Sequence, residues 1–323
     1  MKVFIILNPA SGKNATEPIR ETISRYFSSS KIDYEIYETN KEDKPGDIVR
    51  ARLSDHFDLV VAAGGDGTIS AVIDGLIGTS IPLGIIPVGT GNLIAHELNI
   101  PLDIADAVAL IAGAHKSRKV DAMRIGKRVY VLNASLGISA SVAGGTTRKN
   151  KSRFGRIAYF WTVVLKIFTL RSRYLVVAVD GKALNYRAIE VAIFNCGILA
   201  NMLYPKGPDI RIDDGHLDVW IASAKTLQDY PWYLLQMIIR RPAKNLSHFI
   251  SSEKSVSIRS SVPLPVQADG DIIGTTPVEV EVLSGALTVI VAEKPVSVSN
   301  HDLDQNEVIS QYLSGFTQTG RQK

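Results

Sequence analysis

Gly64-Gly65-Asp66-Gly67-Thr68 follows the apolar run Phe57 to Ala63, so a buried strand runs into a glycine-rich turn that carries one carboxylate. Glycine lets the backbone adopt positive φ and approach a ligand closely, and successive N–H groups in such a turn form an anion-binding nest. Asp66 is the discordant member. A carboxylate beside a phosphate is repulsive unless a cation lies between them or a hydroxyl is being deprotonated, so the turn points to metal-assisted phosphoryl transfer.

Other segments carry chemistry of the same kind. Asn8-Pro9-Ala10-Ser11-Gly12-Lys13 also follows a strand, and its amides, the Ser11 hydroxyl and Lys13 suit a nucleotide phosphate, although the Walker spacing is missing and an ordinary strand-to-helix turn uses the same residue types. Gly89-Thr90-Gly91-Asn92 reads either as another phosphate loop or as a turn with Asn92 capping the next helix. Gln267-Ala268-Asp269-Gly270-Asp271 and Asp213-Asp214-Gly215-His216 read either as hairpin turns or as carboxylates able to hold Mg²⁺. A G-x-G-x-x-G fingerprint is absent, which counts against an oxidoreductase. The histidines lack zinc spacing and no serine sits in a nucleophile elbow, which lowers zinc and hydrolytic chemistry.

The elements that must position these residues change character along the chain. Strand-like and helix-like stretches alternate at first: Lys2 to Leu7, Ala15 to Ser28, Ile32 to Glu38, Asp47 to Ser54, Leu59 to Ala63, Thr68 to Ile77 and Leu83 to Pro87. That rhythm predicts a doubly wound, Rossmann-like α/β domain over residues 1–122, with ligands beyond the carboxyl ends of its parallel strands. All three glycine loops fall at such ends and can line one crevice. From residue 123 to 295 the chain turns β-rich, with strands at Val129 to Ser135, Tyr174 to Val179, Ala188 to Asn195, Leu217 to Ser223, Ser255 to Arg259, Pro265 to Ala268, Val278 to Leu283 and Leu287 to Ala292. A second, antiparallel all-β domain is expected there. Residues 296–323 form a polar tail with a short helix around Glu307 to Tyr312, and a return of this tail to the first domain is expected.

Two apolar, aromatic stretches interrupt the second domain, Phe154 to Leu170 and Leu227 to Arg241. Neither has the roughly 20 apolar residues needed to span a bilayer, so both read as core or interfacial helices. Arg148, Lys149, Lys151, Arg153 and Arg156 precede the first stretch, and Arg171 and Arg173 follow it. This cluster is either a solvated face or a surface that meets anionic headgroups. The net charge of +4 over 323 residues is too mild to indicate nucleic acid. The apolar start, Val3 to Leu7, is too brief for a signal peptide and reads as a first strand, while the single cysteine, Cys196, sits in a buried-strand setting and fits a reducing cytoplasm.

Taken together, N-P-x-S-G-K, G-G-D-G-T, G-T-G-N, D-D-G-x-L-D and the late x-D-G-x stretch resemble the diacylglycerol kinase catalytic family, which includes bacterial diacylglycerol kinases and sphingosine kinases, over roughly residues 2–295. The resemblance implies an ATP- and Mg²⁺-dependent lipid kinase on a two-domain fold similar to NAD kinases, with a C-terminal β-sandwich. It implies ATP against Asn8, Ser11, Lys13, Thr39, Gly64, Gly65, Asp66, Gly67, Thr68, Gly89, Thr90 and Asn92. Asp66 would also serve Mg²⁺, Asp269 would accept the proton of the lipid hydroxyl, and a structural Mg²⁺ would take the Asp214 side chain with the carbonyls of Arg211 and His216. It further implies a lipid partner at the inner membrane face, contacted peripherally; a homodimer could pair through an edge strand of the second domain.

Two positions depart from the family pattern. Many bacterial members read G-T-x-N-D where this chain has Leu93, and the usual D-G-E becomes Asp269-Gly270-Asp271, with Asp271 reaching less far toward the nucleotide. An NAD kinase is the first alternative, with Asp66 as base and a ribose hydroxyl as acceptor. The arginine-flanked apolar helices speak against it. A nucleotide- or lipid-binding regulator without turnover is the second, and the retention of Asp66, Asp214 and Asp269 speaks against that.

Overall fold

The computed structural model describes residues 1–12, 16–137, 140, 172–203, 207–224, 226, 229–239, 241–242 and 245–292. The described chain divides into two compact units, Met1–Val120 with residues 285–292, and Asp121–Ser284. Lys13, the basic cluster from Arg148 to Arg156, the stretch Phe154 to Leu170, Arg171, Leu227 and the tail lie outside the described residues.

The first unit is a parallel sheet. Its strands are β1 (Lys2–Leu7), β2 (Asp33–Glu38), β3 (Leu59–Gly64) and β4 (Leu83–Pro87), with β1 between β2 and β3, and β4 outside β3. The central strands are apolar runs buried along their length, as sheets covered on both faces require. Helices α1 (Thr16–Ser29), α2 (Pro45–Arg52), α3 (Asp66–Leu76), α4 (Leu93–Glu97) and α5 (Ile104–Ala112) provide the crossovers, with a 3₁₀ turn at Leu53–Asp55. Ile19, Ile23 and Phe27 of α1 recur at helical spacing and bury against Val3, Ile5 and Leu7 of β1 and Val61 of β3. The late strand segment at Val289 pairs parallel with Leu83 and extends this sheet.

Pairing in the second unit is antiparallel. Its strands are β5 (Lys116–Ile125, shared with the first unit at its start), β6 (Arg128–Tyr130), β7 (Asn133–Gly137), β8 (Arg173–Val179), β9 (Lys182–Phe194), β10 (Leu217–Ser223), β11 (Ser247–Ser252), β12 (Ser255–Ser260), β13 (Pro265–Ala268), β14 (Asp271–Thr275) and the first part of β15 (Val278–Val291). The first half of β9 pairs with β8, whereas its last residues lie between β7 and β10. One long strand thus joins the two ends of an apolar core containing Leu136, Val177, Val191, Val219, Ile258 and Val280. Helices α6 (Gly197–Leu203) and α7 (Asp229–Ile239) interrupt the strands.

Several boundaries differ from the sequence expectation. The expected strand from Val129 to Ser135 is two strands, because the ladder breaks at Val131–Leu132 so that their N–H groups can turn to a carboxylate. The expected pair Val278 to Leu283 and Leu287 to Ala292 is one strand that runs through Gly285 in the left-handed region, φ 56°. The polar strands β5, β11 and β14 carry too little alternation to be read from their residues.

Candidate active site

The loops after β1, β3 and β4 interlock. Asn8 Nδ2 donates to Thr68 Oγ1 at 2.9 Å, the Ala10 N–H donates back to Asn8 Oδ1 at 3.0 Å, and the Gly65 N–H donates to Ser11 Oγ at 3.3 Å. The backbones of Gly65 and Gly89 pass so closely that a Cβ on Gly89 would lie 2.5 Å from Gly65 Cα. Gly12, at φ 73°, has the Val88 carbonyl where a Cβ would stand. These glycines let separate strand ends converge, which is why the sequence places them there. Thr39 closes the end of β2, its N–H donating to the Leu7 carbonyl at 2.9 Å, and Thr90 is partly exposed on the loop after β4.

Asp66 occupies the first turn of α3, and its Oδ1 accepts the Ile94 N–H at 3.0 Å. The carboxylate therefore caps α4 and ties two phosphate-type loops together. Asn92 does not cap α4, contrary to the turn-and-cap reading. It sits at φ 48° and its Nδ2 donates to the Gly89 carbonyl at 2.9 Å. Asn92 is 8% exposed and its Oδ1 has no hydrogen-bond partner among the described residues. Buried polar atoms normally find a partner, so an orphan in a glycine-lined loop suits a site that receives a polar ligand. Gly65, the residue before α3, contributes no side chain as a cap, and a Cβ built on Gly67 would meet no described group within 4 Å beyond its chain neighbours and its own helix backbone. An open helix N-terminus of this kind accepts a phosphate. The residues present fit a nucleotide.

In the second unit, Asp269 and Gly270 turn the β13–β14 hairpin with φ of 47° and 93°, the signature of a type I′ turn. The hairpin-turn reading is realised here. Asp269 Oδ1 accepts the N–H groups of Leu132 at 2.9 Å and Asn133 at 3.1 Å, while Oδ2 accepts that of Val131 at 3.0 Å. The Asp269 N–H donates to the Asn133 carbonyl at 2.9 Å. Gln267 steadies the turn, accepting the Gly270 N–H at 2.9 Å and donating to Ser135 Oγ at 2.7 Å. Asp271 is exposed at the start of β14.

Arg211, Asp214 and His216 share the turn before β10. Asp121 Oδ2 pins that turn through the Gly215 N–H at 2.6 Å, Asp214 Oδ1 accepts the His216 N–H at 3.1 Å, and Arg211 pairs with Asp213 at 3.2 Å. His216 Nδ1 lies 2.7 Å from the Asp214 carbonyl, and Nε2 lies 3.4 Å from Glu253 Oε1. Partial burial pushes the His216 ring down, but the Asp214 carbonyl and Glu253 outweigh it and raise its pKa. Burial pushes the neighbouring Asp218 carboxyl up against the Ser251 hydroxyl, and the Asp214 charge adds to the rise. Among the described residues no three His, Cys, Asp or Glu side chains form a metal cluster, so Mg²⁺ here would rest on carbonyls and water as well as Asp214.

A diacylglycerol kinase catalytic domain profile matches residues 2–125, and a YegS C-terminal NAD kinase beta sandwich-like domain profile matches residues 133–291. This chain belongs to the diacylglycerol kinase catalytic family of lipid kinases. A diacylglycerol kinase of Staphylococcus aureus is 27% identical over 96% of this chain and 97% of its own. An uncharacterized protein of Synechocystis is 28% identical over 88% of this chain and 69% of its own. A crystal structure of a diacylglycerol kinase from Bacillus anthracis matches at a TM-score of 0.69 with 22% identity, over 90% of this chain and 97% of that one, which supports the fold. The first unit is the Rossmann-like half of this kinase fold and the second its β-sandwich. Kinase chemistry in this family uses ATP, usually with a divalent metal.

The sequence did not mark Asn195. Fully buried at the end of the β9 segment, it donates Nδ2 to the carbonyls of Asp121 and Val131, both at 2.9 Å. Nor did it mark the amides of Val131, Leu132 and Asn133, since backbone donors leave no side-chain signature.

Proposed function

We propose that this kinase transfers the γ-phosphoryl group of ATP, with Mg²⁺, to a lipid hydroxyl, with diacylglycerol as the favoured acceptor and phosphatidic acid as product. The interlocked glycine loops, with Asp66 in the first turn of α3, carry the reading. The diacylglycerol kinase name of the Staphylococcus aureus relative favours the acceptor.

The amides of the glycine turns, with Ser11, Thr68, Thr90 and Lys13, hold the nucleotide phosphates, and Asn92 Oδ1 accepts from the nucleotide. Mg²⁺, when bound, would be held by Asp66 and would neutralise charge on the transferred group. Asp214 would hold a second, structural ion. Asp269, fixed by its three amides, orients the lipid hydroxyl and takes its proton as the hydroxyl oxygen bonds to the γ-phosphorus. The bond from that phosphorus to the β–γ bridging oxygen breaks, and ADP leaves with the electron pair.

No helix among the described residues is long and apolar enough to cross a membrane. Contact with the inner membrane face would be peripheral. Trp232, Leu235 and Ile239 of α7 are exposed at helical spacing, and exposed Arg241 follows, which suits a face resting at headgroup level. Pairing of two subunits through the second unit remains part of the proposal.

The test is transfer of labelled γ-phosphate into a panel of dispersed lipids, with NAD in the same panel and EDTA as a metal control. Label in phosphatidic acid that EDTA abolishes is expected. Label in NAD with none in any lipid would overturn the lipid-kinase reading.

A further inference from the structure

We propose that Asn195 is the positioning residue for Asp269, acting through the amide cradle that holds the carboxylate. This rests on Asp269 being the proton acceptor. The cradle exists because the backbone stops pairing as a strand between β6 and β7, and turns the N–H groups of Val131, Leu132 and Asn133 toward one side chain. Asn195 fixes that break from behind. Its N–H donates to the Leu132 carbonyl at 3.1 Å, and its Nδ2 donates to the Val131 carbonyl at 2.9 Å. The same Nδ2 donates to the Asp121 carbonyl, so the side-chain amide bridges β5 and the break. Each carbonyl held on one side of a peptide plane sets the direction of the next N–H on the other.

Asn195 is 0% exposed and its Oδ1 has no hydrogen-bond partner among the described residues. Leaving a buried acceptor unmatched is costly, and native folds keep few such atoms. Here the orphan accompanies an amide whose donor side fixes the peptide planes behind Asp269. A second cradle in the same unit supplies the contrast. Asp180 accepts the N–H groups of Glu253, Lys254 and Ser255, but there the bracing comes from the Ser252 hydroxyl, which donates directly to Asp180, and from the Val282 N–H on the Lys254 carbonyl. The buried amide brace belongs to the Asp269 cradle.

Asn195→Asp keeps the shape but sets an oxygen against the Val131 and Asp121 carbonyls. Asn195→Ala removes the brace without adding charge. In the full-length chain, steady-state transfer from ATP to dispersed diacylglycerol should show kcat lowered at least about tenfold in each variant, with the KM for ATP within about twofold of wild type. Loss of amide donors to the charged form should also move the acid limb of the kcat profile to higher pH. A lowered melting temperature with unchanged kcat and unchanged pH profile would overturn the inference, as would failure of both variants to fold, since either result makes Asn195 a scaffold residue. If only one variant folds, it decides. Wild-type turnover by Asp269→Asn would instead overturn the base assignment, whereas loss of turnover in Asp269→Asn with an Asn195 effect on melting alone would overturn only the positioning role.

Discussion

The Asp180–Gly181 and Asp269–Gly270 hairpins are near copies of one device. Each turns with both residues at positive φ, 49° and 84° in the first and 47° and 93° in the second. In each, the aspartate carboxylate accepts three successive backbone N–H groups of a neighbouring segment, residues 253–255 in one and 131–133 in the other. The aspartate N–H returns a 2.9 Å bond to the last of those residues, Ser255 or Asn133. In each, the strand that begins at that last residue pairs with the strand leading into the turn. The local geometry is a way of starting a strand beside a hairpin, and by itself it is no mark of catalysis. What separates the two is the surroundings. Asp180 is an exposed turn residue braced by a serine, whereas Asp269 is backed by the buried polar side chains of Gln267, Ser135, Asn133 and Asn195.

The largest expected break in this symmetry is Asp269→Asn. Turnover should fall by about 10² to 10⁴, the usual worth of general-base assistance, while ATP affinity measured by calorimetry changes little. Retained turnover would reduce Asp269 to the structural role of its twin. Next comes the pair Gly270→Ala and Gly181→Ala, each of which forces a Cβ into the left-handed region at a cost of about 1–2 kcal/mol. Urea melts should show similar stability losses. Only Gly270→Ala should also lower kcat, by roughly tenfold, because a displaced turn moves the carboxylate proposed as the base.

Asp180→Asn should lower unfolding free energy by about 1–2 kcal/mol after allowance for solvent screening, with kcat unchanged well below the melting temperature. The smallest effect is its pH dependence. Burial pushes the Asp180 carboxyl up, but the Glu253, Ser255 and Lys254 amides and the Ser252 hydroxyl outweigh this and hold it well below the usual carboxylate range. A depressed folded-state pKa gives stability that is present above the unfolded value of about 4 and is lost as the pH falls through the folded value. The gap between wild type and Asp180→Asn in chemical melts should therefore be full at pH 7 and shrink below about pH 4. A gap that widened on acidification would contradict the assignment.

The first unit was legible because its signals are side-chain signals. Buried runs such as Leu59 to Ala63 and loops such as Gly64 to Thr68 declare strand and turn together. The second was less so. The break between β6 and β7 lies in Val129 to Ser135, whose residues favour an unbroken strand, and the Asp269 carboxylate, 138 residues away from Val131 in sequence, overrides that preference. Asn92 looked like a cap because the preceding loop has cap chemistry, yet Asp66 reaches across from α3 and takes the role. Asp180–Gly181 and Asp269–Gly270 are the same dipeptide in sequence, and only in three dimensions do they show a shared geometry and a difference in what stands behind them.

The central claim is that one of two matching aspartates does chemistry and the other does not. Rates of labelled γ-phosphate transfer from ATP to dispersed diacylglycerol by Asp269→Asn and Asp180→Asn, run side by side, test it most directly. The account predicts a near wild-type rate for Asp180→Asn and one at least about 10² lower for Asp269→Asn. Equal rates in the two variants would contradict it.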